Sequence, residues 1–176
     1  MSEFFGKPRL GYKESSPQQP GLLGDEFDVV VSDYIADLDM YSNENAGRIR
    51  VKWLQNTSSS ALKPGSIVKS DTANDMAHDV TQSGADQPSR AVVDPFLSED
   101  VAAGEKFLGV IYGEIDVLSS AAITKGASIS SAANGKAVTN DLSTVAKLAG
   151  ACGVMIEAAT AADQLRRAFV DFRVLK

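Results

Sequence analysis

Residues 104–119 read GEKFLGVIYGEIDVLS, and this stretch decides the fold class. It is the longest strand-like run in the chain, rich in β-branched and aromatic residues. Gly109 and Gly113 interrupt it without breaking it, which suggests bends or bulges within one long strand.

The neighbouring segments have the same texture. Upstream, RIRVKWLQN at 48–56 alternates, with Ile49, Val51 and Trp53 on one face and Arg50 and Lys52 on the other. Trp53 therefore reads as a core residue. FDVVVSDYI offers a short β-branched run, LKPGSIVKS turns at Pro64–Gly65 into a strand over 66–69, and SRAVVD at 89–94 is stopped by Pro95. Downstream, GASISSAANGKAV at 126–138 carries Asn134–Gly135 between two short segments of small residues. Both residues tolerate positive φ, so the pair suits a two-residue hairpin turn. RAFVDFRVLK alternates again, with Ala168, Val170, Phe172 and Val174 on one face, and should pair with the apolar run 153–159 across a connection at 160–166. Thr160 and Asp163 have capping-box-like spacing, so that connection has room for one helical turn. NDLSTVAKLAG at 140–150 is the other helix candidate, with Asn140 or Asp141 to cap its start and Gly150 its end. The expected fold is all-β: a small barrel or sandwich of short strands, with at most two short helices.

Residues 1–27 differ. Pro8, Pro17, Pro20, Gly6, Gly11, Gly21 and Gly24 interrupt every possible element, while Phe4, Phe5, Leu10, Tyr12, Leu22 and Leu23 recur as apolar anchors. This is an extended N-terminal arm suited to lying on its own domain or on a neighbouring subunit. Residues 28–176 form a single β-rich domain, within what 176 residues allow.

A net charge of −6 argues against a nucleic-acid backbone or an anionic membrane as the main partner. The single cysteine, Cys152, permits no internal disulfide and sits in an apolar context, so it reads as a buried, inert thiol. No basic stretch followed by an apolar run opens the chain, so no signal peptide is expected, and no apolar window is long enough to span a membrane. Synthesis in a reducing cytosol follows.

The chemistry-bearing residues form no recognisable site. The one histidine, His78, lies in a polar, loop-like setting and reads as solvated. Asp25, Glu26, Asp28, Asp33, Asp37 and Asp39 lack the spacing of a calcium loop and read as a solvated acidic face. No phosphate-cradling glycine motif and no nucleophile elbow occurs. No catalytic residue, no metal site and no cofactor are expected. Arg166 and Arg167 stand in tandem, too few for nucleic acid on an acidic chain but suited to an acidic neighbouring protein surface.

The order of features over EKFLGVIYGEIDVLSSAAITKGASISSAANGKAV and AGACGVMIEAATAADQLRRAFVDFRVL, with ALKPGSIVKSD upstream, resembles the capsid decoration (cement) proteins of tailed bacteriophages. The resemblance covers residues 60–176 and is one of pattern. It implies a non-enzymatic virion protein on the capsid exterior, with the major capsid protein as partner, self-association as a homotrimer, and clamping of neighbouring capsid subunits. Phe4, Phe5, Arg9 and Tyr12 on the arm, with Arg166 and Arg167, are then the candidate contacts. The small-residue hairpin at 126–138 would serve close packing between subunits. The rival readings are another virion subunit (minor head or tail), a receptor- or glycan-binding module such as a head fibre or tail-tip domain, and an enzyme around Asp33, Asp37 and His78.

Overall fold

The computed structural model describes residues 13–14, 26–30, 48–73 and 79–172. Their strands are β1 (Lys13–Glu14), β2 (Glu26–Val30), β3 (Arg48–Asn56), β4 (Ile67–Ser70), β5 (Asp79–Gln82), β6 (Ala91–Val93), β7 (Lys106–Leu118), β8 (Ser128–Ser131), β9 (Ala137–Thr139), β10 (Ala151–Met155) and β11 (Leu165–Asp171). One short helix, α1 (Val145–Gly150), accompanies them. The fold is all-β, as the texture of the sequence requires.

The long strand β7 organises everything else. Along one edge it pairs with β3, Gln55 opposite Lys106 through Arg50 opposite Tyr112. Along the other it takes β1 at Lys106–Phe107, β6 at Gly109–Val110 and β11 from Tyr112 to Leu118. β3 continues to β5 in parallel, β5 to β4, and β4 to β6, which returns to β7 and closes a ring of strands. From β11 the sheet runs on through β10 and β8 to β9.

This topology gives β7 two cores. Leu54, Val68, Val80, Ala91, Val93, Phe107 and Ile111 form the smaller one, with every strand of the ring contributing. Leu62 and Val101 close it, joined by reciprocal backbone bonds of 2.9 and 2.8 Å. Ile49, Val51, Trp53, Ile67, Val92, Leu108 and Val110 point the other way, into the larger core. There they meet Ile129, Cys152, Met155, Ala168 and Val170 from β8, β10 and β11, with Phe172 just after β11. β3, β4, β6 and β7 thus contribute to both cores, whereas β5 contributes only Val80, to the smaller one.

A strand that keeps strict alternation cannot face the larger core both beside β6 and beside β11. Leu108 and Val110 face the larger core from even positions, whereas Ile115 and Val117 face it from odd ones. The parity changes where β3 skips Ile111, and Gly113 takes φ of 114° just beyond. A bulge inserts one residue and so swaps the faces of everything after it. Gly109 has a different reason: an added Cβ there would stand 2.3 Å from Leu54 Cδ1 and 3.0 Å from the Ala91 side chain.

Three local expectations are corrected. The Asn134–Gly135 hairpin has a three-residue loop, closed by Ala132 N donating to Lys136 O at 2.7 Å. Only Gly135 takes positive φ, 67°, after a turn in which its N–H donates to Ala132 O; a turn followed by one left-handed residue is the three-residue solution. The helix is capped by Thr144, not by Asn140 or Asp141. Asn140 bonds instead to Leu142 N and Lys147 O, and Asp141 to Ser143 N. The connection before β11 holds turns and no helix: Gln164 takes the Thr160 N–H on its side-chain oxygen at 2.9 Å, and Asp163 sits at φ 60°. The polar segment before Ser83 also contains a strand that its composition hid, β5, whose Val80 is fully buried.

Candidate interaction surface

The arm residues Phe4, Phe5, Arg9 and Tyr12 lie outside the described residues, as do His78, Asp33 and Asp37. The arm does touch the domain immediately afterwards. Lys13 and Glu14 pair antiparallel with Phe107 and Lys106 at the start of β7.

Arg166 and Arg167 are neighbours in sequence on β11, and adjacent strand residues point to opposite faces. Arg166 shares the side of Ala168 and Val170, at the strand's beginning, and its Nη1 donates to Leu165 O at 3.1 Å. Arg167 stands on the outer face, in register with Asp116 on β7. The tandem in the sequence is therefore not one patch. On that outer face Arg167, Phe169 and Asp171 run beside Asp116, Glu114 and Tyr112. Tyr112 and Phe169 meet edge to face with centroids 5.2 Å apart. Val154, cross-strand from Phe169, is exposed. The outer sheet face thus mixes both charge signs with an aromatic pair.

The small-residue hairpin is used within the chain. Ser130 and Ser131 are fully buried. Ser131 Oγ lies 2.8 Å from Ser83 Oγ and donates to Gly84 O, and Ser130 Oγ donates to Asp86 Oδ1 at 2.9 Å. At the tip, Gly135 O accepts from Ile67 N at 2.6 Å, and a Cβ on Gly135 would stand at the same distance from Ile67 O. Small side chains let the β8–β9 hairpin press its backbone against β4 and the 83–89 loop. They serve a contact within the chain, between this hairpin and the ring of strands. Lys136 adds an ion pair to Asp163 at 2.6 Å, which holds that carboxyl below its ordinary range.

The second exposed feature is the segment 141–149. Lys147 Nζ donates to Asp141 Oδ2 at 2.7 Å; that bond holds Asp141 well below the usual carboxylate range and raises Lys147. Leu142, Val145 and Leu148 beside this pair are turned to solvent. The sequence shows their three-residue spacing, but not that the domain would leave them uncovered.

Burial pushes the Cys152 thiol up to about 12, so the thiolate that would act as nucleophile does not form at neutral pH. Among the described residues no three of His, Cys, Asp and Glu come together to hold a metal ion. No helix among them is long and apolar enough to cross a membrane.

With this geometry in hand, the fold is similar to that of the head fiber gp8.5 N base in bacteriophage phi29. The TM-score is 0.52 at 15% identity, over 69% of this chain and 93% of that one. The likeness is one of fold. No protein-family model matches the sequence, and no curated protein matches it.

Proposed function

We propose that this protein is a structural component of a bacteriophage virion, seated on the outside of the capsid, where it clamps neighbouring major capsid subunits without catalysing a reaction. The observation that supports its coarser part, a structural component of a phage virion, is the fold likeness to a phage head-fiber base, which spans nearly all of that chain. The sequence pattern over 60–176, read independently, points to phage capsid decoration proteins. The two meet on one class, a phage head protein.

The proposed mechanism uses many weak contacts. In this reading Phe4, Phe5, Arg9 and Tyr12 supply apolar, aromatic and cationic contacts to the neighbouring capsid subunit. Arg167 adds a cation on the outer sheet face. Copies linked in a homotrimer bind by avidity that one arm alone does not provide.

The structural neighbour favours a second reading on the same surface, in which the domain is the base of a projecting head fibre. A heat challenge separates the two. Capsids saturated with the protein and warmed alongside bare capsids should release their DNA at a higher temperature if it clamps them. Unchanged release with full occupancy would favour the fibre base.

A further inference from the structure

Asn134–Gly135 is the one Asn-Gly pair in the chain, and it stands at the tip of the β8–β9 hairpin. Asparagine followed by glycine is the pair most prone to spontaneous deamidation, because glycine has no side chain to hinder its own amide nitrogen. That nitrogen gives up its proton and attacks Cγ of the asparagine side chain. The Cγ–Nδ2 bond breaks, Nδ2 leaves as ammonia with that proton, and a cyclic imide forms. Water then opens the imide at one of its two carbonyls. One product is aspartate. The other is isoaspartate, whose main chain runs through Cβ and Cγ and is one atom longer.

Asn134 is exposed, but the nucleophile beside it is not: Gly135 is buried, and its N–H donates to Ala132 O at 3.0 Å. Ring closure must rotate the peptide that joins the two residues. Ala132 holds the N–H of that peptide, and Gln82 Nε2 donates to its carbonyl, Asn134 O, at 2.5 Å. The next carbonyl, Gly135 O, accepts from Ile67 N at 2.6 Å. β4 and β5 thus fix the reacting atoms from both sides. We propose that Asn134 is a modification site gated by this contact, remaining asparagine while the tip sits on β4 and converting when the tip lifts. The isoaspartate form does not reseat, because Gly135 fits so closely that even a Cβ would stand 2.6 Å from Ile67 O, and an added main-chain atom displaces it. Each opening that reacts is thereby made permanent.

The test follows the full wild-type chain in solution without capsids, so its outcome is independent of the virion reading. Samples are held in warm, mildly alkaline buffer with and without guanidinium, and peptide mapping scores aspartate and isoaspartate at position 134. Native protein should convert at least about tenfold more slowly than unfolded protein. The slowing should match the amide-exchange protection of Ile67, whose N–H is released by the same opening. Equal rates in the two states, or a slowing that departs from that protection, overturns the proposal. A second measurement reads the consequence. Refolded protein carrying isoaspartate at 134 should have lost the Ile67 protection, whereas Asn134→Asp, which keeps the main-chain length, should retain it. Full protection of Ile67 in the isoaspartate form overturns the proposal as well.

Discussion

Gly109 shows how little room the centre of β7 leaves. Leu54 and Ala91 fill the space that a side chain there would need. Gly109→Ala should cost about 1–3 kcal/mol, the usual penalty for overpacking a close-fitting core. Denaturant titration should find Gly109→Ala less stable, and the loss should shrink when Leu54→Ala is also present, because the clashing methyl group is gone. Additive losses would mean that the backbone conformation, and not Leu54, is the constraint. Cys152 gives a second residue-level expectation. Its folded pKa is raised by burial, so the proton it keeps contributes stability that is fully present below the ordinary thiol value of about 8.5. That contribution is lost as the pH climbs from there toward about 12. Native protein at neutral pH should therefore resist thiol reagents and react only on unfolding, which a thiol-titration time course with and without guanidinium reads directly.

At the scale of elements, α1 depends on its cap because it is only six residues long and mostly exposed. Thr144→Ala removes the oxygen that accepts the Lys147 N–H and should destabilise the segment by about 1 kcal/mol, seen as faster amide exchange over 145–150. The hairpin tip is the stiffer joint: Gly135→Ala meets both a positive φ and the Ile67 carbonyl, and should cost more than about 1 kcal/mol in global unfolding. The sequence exposes some of this and conceals the rest for physical reasons. The faces of β3 and β11 are legible because one face of each carries a regular apolar row into the larger core. β5 is not legible, since a four-residue strand with two partly exposed positions leaves too short a pattern. The closure of the ring through a parallel β3–β5 contact is also hidden, because such pairing is set by tertiary packing and not by any local signal. The candidate contacts divide in the same way. Arg166 and Arg167 look like a pair until a strand turns them to opposite faces, and the exposed stripe on α1 has a visible spacing but no visible orientation.

For the whole molecule, both cores among the described residues are built from residue 49 onward, and β1 is a two-residue addition at the edge of β7. Removing residues 1–24 should therefore leave the β-sheet circular dichroism largely intact while sharply weakening attachment to the capsid, because the proposed arm contacts are lost and the domain is not. Undiminished attachment would move the contact surface onto the domain itself. The central claim is that the full-length chain binds the outside of a phage capsid as a structural part. The most direct measurement is co-sedimentation of the purified protein with expanded, undecorated capsids of its source virus, titrated to saturation. Binding that saturates at a fixed ratio to the major capsid protein is the predicted result; no binding above that of an unrelated acidic protein would contradict it.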